Sequence, residues 1–125
     1  MIATDHAPHT LLDKQKGASG QPHLDTLGPF TEWLRWAHDF SCSDIARVCS
    51  FAPALFLNRF LPESYGCGYG LIEPGYVGSL TVIDPNTPVT ISKEMLKTKC
   101  GWSPFEGVTF PGSVRHTIVK GHVLK

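Results

Sequence analysis

A chain of 125 residues, 42% of them hydrophobic, is long enough for one small domain with a core and too apolar to be disordered. Eleven basic and eleven acidic side chains cancel to a net charge of zero, so neither a nucleic-acid-binding face nor an acidic tail is expected. No apolar run approaches the ~20 residues that span a bilayer, and Met1-Ile2-Ala3 passes directly to Thr4-Asp5-His6 without a secretory pattern. Cys42, Cys49, Cys67 and Cys100 contain no C-x-x-C pair, which disfavours a zinc ribbon and suits reduced thiols in a cytoplasmic protein.

Met1 to Thr4 reads as the end of a buried strand with Asp5 at its C-terminal tip. Residues 10–23 read as a loop of small and polar side chains, the kind that covers a site. Leu27, Phe30, Leu34 and Ala37 recur at helical spacing, with Trp33 beside them. Pro29 fits only in a first turn and so starts that helix near Gly28. Ser41 or Ser43 caps a second helix with Ile45, Val48 and Cys49 inward. Pro53 opens a third, carrying Leu55, Phe56 and Phe60. Pro62 and the glycines from Gly66 to Gly70 end the helical half. Those glycines lack the preceding strand and the Lys-Ser/Thr of a phosphate loop.

The remainder is β-rich. Leu80 to Asp84 is a strand closed by a turn at Pro85, Val89 to Ile91 a short strand, and Ser92 to Leu96 a helical turn. Trp102 to Phe105 reads as a structural turn over the β region. Val114 to Leu124 reads as a hairpin turning at Lys120-Gly121. His38, His116 and His122 are solvent-facing by default. The expected fold class is α/β, with residues 1–69 carrying the strand tip, loop and helices and residues 70–125 the late strands.

Chemistry concentrates in Ala3-Thr4-Asp5-His6-Ala7-Pro8-His9, one carboxylate and two imidazoles within five residues. A strand tip followed by a loop is the catalytic position of a parallel α/β barrel. There Asp5 can ligate a metal, act as base toward a metal-bound water, or both. His9 can donate to an anionic group, on a segment stiffened by Pro8, while His6 needs no role beyond a hydrogen bond to backbone.

The same heptapeptide resembles the last-strand motif of the dihydroorotases, in the amidohydrolase superfamily. Cys49-Ser-Phe-Ala-Pro-Ala-Leu-Phe56 is similar to that family's N-P-A-x-x-F helix start. Gly70 to Tyr76 and Leu80 to Pro85 resemble its return to a small β domain. Cys100-Gly-Trp-Ser-Pro-Phe-Glu-Gly107 is similar to a segment near the C-terminus of one bacterial branch. Hydantoinases and allantoinases share the late β segments but usually differ after the Asp-His pair.

The resemblance implies the C-terminal part of a (β/α)8 metal-dependent hydrolase barrel plus strands of a small β-sandwich domain. It implies a cytoplasmic, zinc-dependent enzyme with one or two Zn2+ ions that reversibly hydrolyses dihydroorotate to N-carbamoyl-aspartate in pyrimidine biosynthesis. No nucleic-acid or membrane partner is implied, and a homo-oligomeric parent is compatible with it. Asp5 matches the residue that contacts metal and shuttles the proton, and His9 the imidazole that binds the substrate carboxylate. Pro22 and His23 lie in the stretch whose backbone meets the pyrimidine ring, with His23 where glycine is common. Gly78-Ser79 stands where Ala-Asp is usual, a looser entry to the next strand. The family's H-x-H pair, bridging lysine and other histidine ligands do not occur here, so the isolated chain is expected to be inactive. Another cyclic amidohydrolase, or a non-catalytic partner of a pyrimidine enzyme, are the alternative readings.

Overall fold

A computed structural model describes residues 1–124. Its helices are α1 (Leu11–Gln15), α2 (Leu27–His38), α3 (Cys42–Ala46) and α4 (Ala52–Leu57). Its strands are β1 (Leu80–Asp84), β2 (Val89–Thr90), β3 (Thr109–Phe110), β4 (Ser113–Val119) and β5 (His122–Leu124). The chain is thus a mixed α/β polypeptide. Among the described residues no helix is long and apolar enough to cross a membrane. Two compact units are each assembled from separate stretches of chain. One takes Met1–Ala3, Leu34–Ile83 and residues 114–124, and the other Thr4–Trp33 and Asp84–Ser113.

In the first unit Ser41 caps α3. Its hydroxyl accepts from Asp44 N–H (3.1 Å) and the Asp44 carboxylate accepts from Ser41 N–H (3.0 Å). The Ser41 hydroxyl also donates to the Asp44 carboxylate (2.6 Å), and this bond first, then the one from Ser41 N–H and Arg47 alongside, holds the Asp44 carboxyl below its ordinary range. A carboxyl depressed by folding stabilises above its unfolded pKa and loses that contribution as pH falls through the lower folded value. Ser41→Ala should therefore lower the thermal midpoint at pH 7, and lower it less near about pH 2, well below the ordinary aspartate value of about 3.9. Circular dichroism melts at the two pH values check this.

Pro53 lies in the first turn of α4, as read from the sequence, with no break before it. A π-type turn, Arg47–Phe51, joins α3 to α4. Proline removes a helical donor and crowds the preceding carbonyl, and a widened turn just before it absorbs both defects. Ile45, Val48 and Cys49 are half-buried as read from their spacing. Leu55, Phe56 and Phe60 are 55%, 55% and 71% exposed. Ala54 is the buried residue of α4. Gly70 packs there so closely that a Cβ on it would lie 2.6 Å from the Ala54 Cβ, so this side accepts only small residues. Asn58 then clamps the following loop, accepting from Tyr69 N–H and donating to the Tyr69 carbonyl, each at 3.0 Å.

The four cysteines are unbonded to one another. Burial pushes the Cys49 thiol up, whereas Cys42 and Cys67 are exposed. Alkylation at neutral pH is expected to modify Cys42 and Cys67 well before Cys49, because the thiolate is the nucleophile. Time-resolved peptide mass spectrometry reads the order.

The sheet of this unit runs β1-β4-β5. The strand at 80–84 and the hairpin form as the sequence predicts, β4 and β5 pairing antiparallel with Val119 opposite His122. Lys120 (φ 49°) and Gly121 (φ 82°) supply the two left-handed residues of the tight turn. Gly78-Ser79 anchors that turn rather than loosening the strand. The Gly78 carbonyl accepts from Gly121 N–H (2.8 Å) and Ser79 Oγ from Lys120 N–H (3.0 Å).

In the second unit, residues 10–23 are not simply a loop, because Leu11–Gln15 is helical. The Thr10 hydroxyl accepts from Asp13 N–H and Asp13 accepts from Thr10, a reciprocal cap. Lys14 Nζ donates to the carbonyls of Ala18 (2.6 Å) and Gly20 (2.9 Å), tying down the glycine-rich stretch. A 3-10 turn, Leu24–Thr26, leads into α2, with Pro29 in its first turn. The predicted inner face of α2 is only partly covered. Leu27, Phe30 and Leu34 are half-buried and Ala37 is exposed, while Pro29, Thr31 and Glu32 are buried. Thr31 meets the cost of burial by donating to the Gly28 carbonyl (2.7 Å).

The late segment supplies the rest of this unit's core. β2 pairs antiparallel with β3, a strand not read from the sequence, and the Thr90 and Thr109 hydroxyls meet at 2.8 Å. Ile91 (1% exposed) and Phe110 (3%) are the buried apolar side chains here. The turn predicted at 92–96 is a 3-10 turn, Lys93–Met95. At Gly112 a Cβ would lie 2.8 Å from the Asp84 carbonyl oxygen and 2.7 Å from Glu32 Cγ, so the backbone passes where no side chain fits.

Candidate active site

Met1 to Thr4 does not form a strand. A strand is defined by its neighbours, and here Ile2 N–H donates to the Val48 carbonyl (2.9 Å) without a continuing ladder. What survives of the strand-like pairing is one parallel bridge, His6 with Gln21, and a bond from Ala7 N–H to the Gln21 carbonyl (3.0 Å). Gly20 makes that approach possible. It sits at φ 97°, and a Cβ there would collide with the Ala7 side chain.

Asp5 takes φ 45°, a left-handed conformation that aspartate tolerates better than most residues. Its side chain is exposed and makes no hydrogen bond or ion pair among the described residues. The carboxylate is therefore free to work on a ligand.

His6 is half-buried and does the structural work of the motif. Its Nδ1 accepts from both His23 N–H and Leu24 N–H, each at 3.1 Å. An accepting Nδ1 leaves the ring proton on Nε2. The imidazole thereby ties Asp5-His6-Ala7 to the loop at 20–24 over seventeen residues of sequence.

The His9 ring is exposed, but its backbone is fixed at both ends. His9 N–H donates to the Ala7 carbonyl (2.9 Å), and the His9 carbonyl accepts from Trp102 Nε1–H (2.8 Å). Pro22 is buried and His23 half-buried. Both backbone groups of His23 are in use, the N–H on His6 and the carbonyl on Thr26. The His23 ring lies 5.7 Å from that of Phe105, which meets Phe110 edge-on at 5.5 Å.

Trp102 to Phe105 leads into a turn that meets β3 through Phe105 and Phe110, as the sequence reading expects, and it has a second role. It packs on the residues of the motif and its loop. Asp25 anchors the approach to it, its carboxylate accepting from Lys97 N–H (3.1 Å) and Thr98 N–H (2.9 Å). Ser103 N–H donates to Glu106 (3.0 Å), closing the turn.

The chemistry available is that of one unengaged carboxylate, two accessible imidazoles and a rigid backbone beneath them. The donor set does not fit a resident zinc ion on its own. Zinc takes four ligands, three of them from protein even in catalytic sites. Among the described residues no three of His, Cys, Asp and Glu converge to hold an ion.

No family model matches the chain. Individual proteins do. A dihydroorotase of Archaeoglobus fulgidus is 37% identical over 116 residues, which cover 91% of this chain and 27% of that protein. The dihydroorotase of Pyrococcus furiosus is 36% identical over 124 residues, 99% of this chain and 28% of the relative. That of Clostridium botulinum is 32% identical over 124 residues, 98% of this chain and 29% of the relative. The similarity extends along an α/β chain whose acid–base motif is held in place by its own loop. By sequence, the chain is similar to these dihydroorotases over nearly all of its own length. It spans a little over a quarter of the length of the curated relatives it matches.

Proposed function

We propose that this chain is the C-terminal, active-site-bearing part of a dihydroorotase that reversibly hydrolyses dihydroorotate to N-carbamoyl-aspartate in pyrimidine biosynthesis, in the cytoplasm. The observation that carries the reading is the Asp5–His9 motif. Asp5 is unengaged and accessible, and the motif is fixed by His6 and Trp102, in a chain similar to dihydroorotases over nearly all of its length.

Ring opening adds water across an amide. The oxygen bonds to the ring carbonyl carbon, the carbon–nitrogen bond breaks, and the nitrogen gains a proton. Asp5 accepts the proton lost by the water and returns it to the departing nitrogen, one carboxylate serving both transfers. His9 donates to the substrate carboxylate. The Pro22 carbonyl, which accepts no hydrogen bond among the described residues, receives a ring N–H. His23 stands beside it with its imidazole free of hydrogen bonds. The Zn2+ that the family resemblance implies would need donors from other parts of a longer protein, a barrel and β-sandwich of which this chain is one part. Asp5 is the one ligand this chain adds. The exposed Leu55, Phe56 and Phe60 suit such a segment.

The test is an assay of the longer polypeptide that carries this sequence, followed by ring-opening and ring-closing absorbance. Turnover of dihydroorotate is expected, with none from the 125-residue chain alone. Preference for hydantoin or allantoin would assign another cyclic amidohydrolase. Inactivity toward all three would make it a non-catalytic relative.

A further inference from the structure

Three independent contacts join the segment from Lys97 to Phe105 to the residues of the proposed site. Asp25 holds its start through two backbone N–H groups, Trp102 bonds the His9 carbonyl, and Phe105 lies against the His23 ring. The strap thus reaches both histidines of the proposed site region, His9 at its backbone carbonyl and His23 at its ring. We infer that Trp102 is a positioning residue for His9, setting the affinity for the substrate carboxylate without touching substrate itself. The inference rests on the function proposed above.

The physical basis is where the bond lands. Trp102 reaches a backbone atom, so it fixes the Cα of residue 9 whatever side chain stands there. With His9 N–H already committed to Ala7, the indole removes the remaining freedom of the peptide group. An imidazole that must meet a carboxylate at hydrogen-bond distance depends on that fixity, because an ångström of misplacement forfeits much of the interaction. Asp5 lies on the other side of His6 and is held through it, so proton transfer does not share this dependence. The expected signature is an effect on KM separated from kcat.

Two arms test it. In the 125-residue chain labelled with 15N-tryptophan, the Trp102 indole proton should exchange more slowly than that of Trp36, whose side chain is exposed. An equal rate would overturn the geometry. In the longer protein, Trp102→Phe should raise the KM for dihydroorotate about tenfold and leave kcat within about threefold, as expected for lost substrate positioning. Trp36→Phe, at a site 75% exposed, should change neither. His9→Ala should raise KM as well, and the double variant should be no worse than His9→Ala alone, since both act through one imidazole.

An unchanged KM in Trp102→Phe, a fall in kcat alone, or additive effects in the double variant would overturn the inference while leaving the dihydroorotase reading intact. A longer protein that neither binds nor turns over dihydroorotate would overturn both. Circular dichroism of each variant separates misfolding from misplacement. If Trp102→Phe does not fold, Phe105→Leu replaces it, with a smaller KM rise expected and an unchanged KM counting against the strap.

Discussion

Asp5→Asn in the longer protein is expected to lower kcat for dihydroorotate by about a thousandfold, the middle of the range for loss of a general acid–base group. KM should stay within a few-fold. The substitution removes the proton-accepting charge, and with it the carboxylate proposed to help hold Zn2+. Asparagine has nearly the same shape and, like aspartate, tolerates the left-handed backbone that residue 5 adopts at φ 45°. The Asp5 side chain makes no hydrogen bond among the described residues, so its replacement removes no contact of the fold. The thermal midpoint of the 125-residue chain should accordingly be unchanged by the same substitution. Steady-state kinetics in both directions decide the matter. A kcat within tenfold of the parent would move the proton transfer to another group, and with it the central claim about this motif.

Local signals were readable and distant ones were not. The hairpin at Lys120-Gly121, the strand ending at Asp84 and the helix beginning around Pro29 each carry their instructions within a few residues. A proline, a glycine or an alternation sets the local dihedral angles directly. The reciprocal cap of Thr10 and Asp13 is equally local. It is a Thr-x-x-Asp pattern hidden by the Gly-Ala-Ser-Gly run after it. β3 is different in kind: two residues become a strand only because Val89 and Thr90 arrive opposite them. The buried side of α4 is likewise set from outside the helix. Helical spacing marks Leu55, Phe56 and Phe60 as one apolar group, but the chain that meets the helix does so at Gly70, where Ala54 fits.

The motif itself was legible because all of Asp5, His6 and His9 lie within one short peptide. What holds it was not. Trp102 lies 93 residues from His9, and Lys97 lies 72 from Asp25. Nothing in the local pattern of either partner announces the other. Pro22 and His23 were located by resemblance alone. Their structural setting, with His6 consuming both neighbouring N–H groups, gives a reason why the loop would offer a carbonyl rather than an amide hydrogen to a bound ring.

Ile91→Ala is expected to be the most damaging single truncation in the unit that carries the motif. Ile91 is 1% exposed, and its backbone bonds on both sides, N–H to the Val108 carbonyl and carbonyl to Gly107 N–H, each at 2.9 Å. Removing three carbons there should cost about 2–5 kcal/mol, the transfer energy of the lost surface plus the cavity left behind. For a unit of this size that corresponds to a fall in thermal midpoint of roughly 10–30 °C. Few neighbours are able to fill the gap, because Phe110 is itself buried at 3% exposure and Gly112 leaves no slack around Glu32. The loss should spread to the strap, since Ile91 holds the turn that follows Trp102 through Gly107 and Val108. Thermal melts give the stability change, and exchange of the Trp102 indole proton reports the strap directly. A midpoint lowered by less than about 4 °C, the shift for roughly 1 kcal/mol, would mean that this core is not what keeps Trp102 on His9.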